Sequence, residues 1–261
     1  MIIDSHAHVM QPLAKELAWM DEAGMDKTVL FTTTIHPETA TNLDELSGEI
    51  EKLYAMLDGT RNPVEERIKS IEKLTKIVKD HPDRFVGFGS IPQGLSYEEN
   101  GKWLDNYIIK NGLRGVGELT PGSGEVGKLE SLFQAAEDAG RLPLWVHAFL
   151  PLTWRDIKEL LELARHYASV PLILGHLGGL HWLETLKAVR DLPSVYLDLS
   201  AVYTTMAPSF AVKEYPERTL FASDAPFTSP LAARNLLESC IEDAYMREGV
   251  LGGNIAKLLN L

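Results

Sequence analysis

Short unbroken apolar runs alternate along the chain with longer stretches whose apolar residues recur every three or four positions. The runs predict strands buried on both faces, and the stretches predict amphipathic helices between them. Ile2 and Ile3 open the first strand, Leu13, Leu17 and Met20 mark a helix over 12–23 that stops at Gly24, and a β-branched run over 27–33 is the second strand. The segment 34–62 breaks this rhythm. It carries an amphipathic piece at Ile50, Leu53, Met56 and Leu57, ends in the turn Gly59-Thr60-Arg61-Asn62-Pro63, and reads as a partly helical insertion after strand 2.

Beyond Pro63 helix and strand follow each other in pairs: helix 64–79 with strand 84–91, helix 97–110 with strand 113–119, and helix 128–139 with strand 142–148. Helix 155–167 then precedes strand 170–177, helix 182–190 precedes strand 194–199, and a less regular helix at 210–214 precedes strand 219–223. A helix over 231–243 and a turn over 254–259 close the chain. Gly112, Gly140 and Pro193 stand where helix stop signals belong. Such pairs predict an α/β protein with a parallel sheet, and eight of them in 261 residues predict one (β/α)8 TIM barrel domain over 1–261. A doubly wound open sheet is the main alternative. Its nucleotide-binding versions lose support because no GxGxxG follows the first strand and no GxxxxGKS/T loop occurs.

Composition narrows the function classes. Hydrophobic residues at 45% and charged residues at 24% are ordinary for a globular protein. A net charge of -12 without a Lys/Arg cluster argues against a nucleic-acid partner. Asp4 and His6 interrupt any signal-peptide core, and no apolar run approaches the roughly 18 residues of a membrane span, so a cytoplasmic protein with no membrane partner is expected. Cys240 is the one cysteine, which excludes an intramolecular disulfide, and its helical setting beside Leu236 and Leu237 predicts packing rather than catalysis.

In a barrel of this kind, chemistry sits at the C-terminal ends of the strands. His6 and His8, at i and i+2 on the first strand, put both imidazoles on one face, which is half of a metal site. Further ligand-type groups close apolar runs at Val116-Gly117-Glu118, Trp145-Val146-His147, Leu174-Gly175-His176 and Ala222-Ser223-Asp224. Singly, each has a plain structural role open to it; together they point to a metal centre at one barrel mouth. Asp4 is expected to hydrogen-bond at the strand start or to orient the site from behind.

This pattern, with the phrases Gly175-His176-Leu177-Gly178-Gly179, Asp224-Ala225-Pro226-Phe227 and Leu251-Gly252-Gly253-Asn254, resembles the amidohydrolase superfamily, in particular its amidohydrolase-related branch. That branch includes aromatic-acid and muconate-semialdehyde decarboxylases and pyrone-dicarboxylate lactonases. Glu118 stands where many relatives have a carbamylated lysine bridging two metals. The resemblance implies that His6, His8 and Asp224 bind one divalent ion, zinc, with His147 completing it. If Glu118 bridges, a second ion sits against His147 and His176; if Glu118 only hydrogen-bonds, one ion suffices and His176 polarises substrate or moves protons. Asp224 is the expected proton acceptor and donor.

Residues following the strands should wall the substrate pocket: Met10, His36, Phe149, Trp154, Arg155, His181, Trp182, Tyr203 and Phe227. Their rings suit a flat small molecule. Arg155 is the one obvious cation among these loops, which tilts the expectation toward hydrolysis of an amide, lactone or ester and away from decarboxylation. Decarboxylation of an aromatic or muconate-type acid, a TatD-like deoxyribonuclease and a non-catalytic metabolite-binding barrel are the alternatives. A homodimer is expected.

Overall fold

The apolar runs form eight strands: β1 (Ile3–His8), β2 (Lys27–Phe31), β3 (Phe85–Gly89), β4 (Gly115–Leu119), β5 (Leu144–Val146), β6 (Leu172–Leu174), β7 (Val195–Asp198) and β8 (Thr219–Leu220). Each pairs in parallel with the next in chain order. This computed structural model describes residues 1–58 and 64–261, and the turn expected at Gly59 to Pro63 lies outside the described residues. Backbone bonds from Ser5 N to Phe221 O (2.9 Å), His8 N to Ala225 O (2.7 Å) and Asp224 N to His6 O (2.8 Å) join the last strand's continuation to β1. The sheet thereby curls into a TIM barrel.

Side chains fill the barrel in layers. Ile3, Val29, Phe31, Val86, Phe88, Trp145, Ile173 and Leu220 form an inner cluster, separate from the larger apolar layer between sheet and helices. Trp145 is the largest of these fully buried side chains, and it takes up the room that two neighbouring glycines leave. A Cβ at Gly117 would stand 2.7 Å from the Phe31 ring and 2.8 Å from Trp145 Cβ, and one at Gly175 would collide with the indole.

The covering helices are α1 (Leu13–Glu22), α2 (Leu43–Leu57), α3 (Val64–Asp80), α4 (Tyr97–Trp103), α5 (Glu130–Asp138), α6 (Trp154–His166), α7 (Trp182–Ala188), α8 (Met206–Glu214), α9 (Pro230–Cys240), α10 (Ala244–Glu248) and α11 (Asn254–Leu259). In α6 the buried positions Ile157, Leu160, Leu161 and Ala164 make a stripe at helical spacing against the sheet. Its start is tied down by Asp156, which accepts hydrogen bonds from Thr153 N and Oγ1, Gly124 N and Ser123 Oγ. α11, expected only as a turn, puts Ile255 and Leu259 among the inner cluster beside Ile3 and plugs the N-terminal end of the barrel.

Three strands cover less than half of their apolar runs. β5, β6 and β8 end before His147, His176 and Asp224, and the last two residues take positive φ values of 54° and 60°. That backbone leaves the ladder and carries the polar side chains over the mouth. The insertion is helical in large part, as α2, and among the described residues no helix is long and apolar enough to cross a membrane.

Candidate metal centre

Pairing between β1 and β2 slips by one residue between Asp4 and Ala7. A regular strand would send Ile3 and His6 to opposite faces. With this bulge, Ile3 joins the inner cluster and His6 also turns inward, its ring 4.8 Å from that of Phe31 and 4.2 Å from that of Trp145. His8 follows two residues later on the same face, so the two Nε2 atoms stand 3.3 Å apart. A second slip, between Val116 and Leu119 of β4, lies at the level of Glu118.

Around the imidazole pair the donors close in. Asp224 Oδ1 lies 3.6 Å from His6 Nε2 and 3.3 Å from His8 Nε2, and Glu118 Oε2 lies 3.4 Å from His8 Nε2. In a tetrahedral shell with bonds of about 2.0–2.1 Å, neighbouring donors are about 3.3–3.4 Å apart. His6, His8 and Asp224 therefore form a face that can hold one metal ion. A second such group adjoins it: Glu118 Oε1 is 2.8 Å from His147 Nδ1 and 3.6 Å from His176 Nε2, and the two imidazoles are 3.1 Å apart.

The chemistry of the donors fits a divalent cation. His147 Nε2 faces the Leu150 carbonyl at 3.0 Å, so in the neutral ring that nitrogen carries the hydrogen and Nδ1 turns a lone pair toward the Glu118 carboxylate. Two lone pairs at 2.8 Å repel unless positive charge lies against them. The same demand governs the proton equilibria. Burial disfavours the His8 cation, yet the Asp224 and Glu118 carboxylates push its pKa up to about 10. Burial would raise Glu118, but His147, His176 and His8 hold it well below the usual carboxylate range, and Asp224 is held down likewise by His6, His8 and His176. His6, more deeply enclosed, is lowered by burial. The donor clusters thus support a divalent metal.

Asp4 ties the ends of the barrel closure together. Its Oδ1 accepts from His6 N (3.1 Å) and Ser223 N (3.0 Å) and its Oδ2 accepts from the Ser223 hydroxyl, while burial pushes its carboxyl up to about 7.

A cavity of about 390 Å³ opens onto this cluster. His8, Glu118, His147, His176 and Asp224 line it together with Phe149 and Phe227, and the insertion contributes Ile35, Leu53, Tyr54, Met56 and Leu57. His36, Trp154, Arg155 and His181 do not line it; Met10, Trp182 and Tyr203 do not either. His36 is turned to Glu38 at 3.1 Å, Trp154 packs toward His181 with ring centres 6.1 Å apart, and Arg155 is exposed on the first turn of α6. The expectation that Arg155 is the cation of the mouth is therefore corrected. Arg67, half-buried on α3, lines the cavity instead. Burial draws its pKa down only to about 10, so it remains cationic near neutrality.

Sequence reasoning also missed Asp198 and Ser200 behind the imidazoles. Their signal was present: Asp198 ends an apolar run as Glu118 and His147 do, but alternation of Leu197, Asp198, Leu199 and Ser200 reads equally as a strand with one wet face.

Comparisons with known proteins bear on the fold and the family. The family model described as Amidohydrolase matches residues 3–261. No curated protein sequence matches the chain. Among solved structures, 5-carboxyvanillate decarboxylase LigW from Sphingomonas paucimobilis is similar with a TM-score of 0.70 at 14% identity, covering 100% of this chain and 99% of its own. 2,6-Dihydroxybenzoate decarboxylase from Rhizobium gives 0.66 at 14% identity over 99% and 98% of the two chains. A dihydroxybenzoic acid decarboxylase from Polaromonas sp. JS666, solved with bound manganese and the inhibitor 2-nitroresorcinol, gives 0.68 at 16% identity over 100% and 97%. At such identities these likenesses speak for the barrel alone. The family match runs from β1 to the last residue, and the chain belongs to the amidohydrolase family.

Proposed function

We propose that this chain, acting as one barrel domain, is a metal-dependent, non-oxidative decarboxylase of a small aromatic carboxylic acid. The observation that carries the reading is the make-up of the cavity: aromatic and aliphatic walls, a cluster of imidazoles and carboxylates, and one arginine, Arg67, among its described lining residues. A flat ring packs against Phe149 and Phe227, and a guanidinium pairs with the anion that a neutral lactone or amide lacks. Three structural neighbours are decarboxylases of carboxylated or hydroxylated benzoates, which supports the same reading.

His6, His8 and Asp224, with Glu118, His147 and His176, are the proposed ligands. Imidazole and carboxylate donors without a thiolate suit zinc and manganese alike. When bound, the ion supplies a Lewis acid that anchors and neutralises substrate oxygens. The rest falls to the chain. Arg67 takes the substrate anion and the apolar wall keeps water from the ring. Asp224, ionised at rest, takes up a proton and gives it to the ring carbon that bears the carboxylate; the bond to that carboxylate then breaks, its electron pair restores the ring, and carbon dioxide leaves. Where His176 binds no ion, its bare Nε2 faces the same space and passes a proton from solvent back to Asp224 for the next turnover.

Hydrolysis of a cyclic amide, lactone or ester by an activated water is the second reading. It is favoured by one observation, the position of Glu118 between both donor groups, as a two-metal hydrolase requires. Incubating metal-loaded enzyme with carboxyl-labelled hydroxybenzoates, and in parallel with lactones and cyclic amides, separates the two. Labelled carbon dioxide with a ring C–H product supports decarboxylation; ring opening without carbon dioxide supports hydrolysis and contradicts the first reading.

A further inference from the structure

Behind the imidazoles, at the end of β7, lies a group of side chains that no catalytic step above uses. Asp198 is fully buried, and its carboxylate accepts from Trp145 Nε1 (3.2 Å), His176 N (3.2 Å), Ser200 N (2.9 Å) and the Ser200 hydroxyl. Ser200, 1% exposed, has its oxygen 2.8 Å from His176 Nδ1 and 3.3 Å from His6 Nδ1.

These contacts fix the direction of every bond. An ionised carboxylate only accepts, so the single Ser200 hydrogen is committed to Asp198. Ser200 Oγ is left with two lone pairs facing two ring nitrogens. Each nitrogen must then be the donor, and both His6 and His176 carry hydrogen on Nδ1. Among the described residues, Asp198 Oδ2 also lies 3.6 Å from His6 Nδ1; it too is an acceptor and imposes the same tautomer. In the neutral rings both Nε2 atoms are then bare and point toward Asp224 and Glu118.

We propose that Ser200 is a positioning residue in which one hydroxyl, oriented by Asp198, sets the tautomer of an imidazole in each of the two donor groups and so couples them. The proposal rests on the reading of His6 and His176 as metal ligands. His6, His176 and Asp198 also stand close enough together to hold an ion themselves. The Ser200 oxygen hydrogen-bonds or approaches all three and occupies the place such an ion would need. Histidine ligands commonly have their second nitrogen fixed in this way, each by its own acceptor, and loss of the acceptor lowers metal affinity about 10–100-fold. Here one acceptor serves two ligands.

Nitrogen NMR of histidine-labelled protein tests the bond directions without a variant. In metal-free protein His6 and His176 should both show a protonated Nδ1, and zinc should move only their Nε2 signals. A bare or zinc-shifted Nδ1 on either residue overturns the proposal. Ser200→Ala, checked for an unchanged melting profile, should lower zinc affinity by at least about tenfold, measured by competition with a chromophoric chelator, and should release the tautomer of both rings together. Wild-type affinity with unchanged nitrogen shifts in this variant also overturns it. A wild-type chain that takes up no zinc contradicts the ligand assignment instead, and the metal-free spectrum still decides the tautomers.

Discussion

Glu118 Oε1 stands 2.8 Å from His147 Nδ1, while the other oxygen of the same carboxylate lies 3.4 Å from His8 Nε2. One side chain thus touches both donor groups, and its removal should be felt by both. Glu118→Gln keeps the shape and loses the charge. We expect metal affinity to fall by about 10–100-fold and the His8 pKa to drop from about 10 toward its ordinary value. Chelator competition and histidine NMR measure the two effects on one sample.

On the proposed reading, substrate choice turns on Arg67, which lines the cavity. Arg67→Met keeps the length and apolar stem and removes the charge. For an aromatic carboxylate, KM should rise by at least about tenfold, the worth of a charge-assisted pair, with a smaller change in kcat. Steady-state kinetics on the aromatic carboxylate that the enzyme decarboxylates provide the check. An unchanged KM would remove Arg67 from the binding site.

Glu16, on the inner face of α1, is 1% exposed and has one carboxyl oxygen without a hydrogen-bond partner. Burial pushes its pKa up to about 8, with Asp4 adding to the rise. The folded chain therefore holds a proton that the unfolded chain releases near pH 4.5. Stability should fall as pH rises from about 4.5 to about 8. In metal-free protein Glu16→Gln should flatten that slope, gaining stability at pH 8 relative to wild type and little at pH 5. Melting curves across this range test it.

Asp156 works in the opposite direction. Burial would raise its carboxyl, but hydrogen bonds from Thr153, Gly124 and Ser123 hold it at about 2, against an ordinary 3.8. Its contribution is complete above about pH 4 and disappears as the pH falls through about 2. Asp156→Ala should cost about 1–2 kcal/mol at neutral pH, as loss of a helix cap does, and the difference from wild type should narrow in acid. Urea unfolding at pH 7 and pH 3 measures both.

The fold was readable because parallel strands covered on both faces must be continuously apolar, and eight such runs are unmistakable between helical stretches. The rim residues were readable for a related reason: His147, His176 and Asp224 interrupt an apolar run where the strand leaves its ladder. Arg67 was not readable. It lies in a helix whose polar positions mostly face solvent, and only the placement of α3 beside the insertion turns it toward the cavity. The β1 bulge was equally hidden, since no glycine or proline marks it, although it is what allows Ile3 and His6 to share the barrel interior. Arg155 was misjudged because proximity in sequence to His147 does not survive the turn at Leu150 and Pro151 into α6.

Metal content tests the central claim most directly. Protein expressed with added manganese or zinc, freed of loosely held ions by gel filtration and analysed by mass spectrometry, should retain at least one equivalent, and His6→Ala should lose most of it while keeping its fold. A wild-type chain without bound metal, or a His6→Ala variant with undiminished metal, would contradict the account.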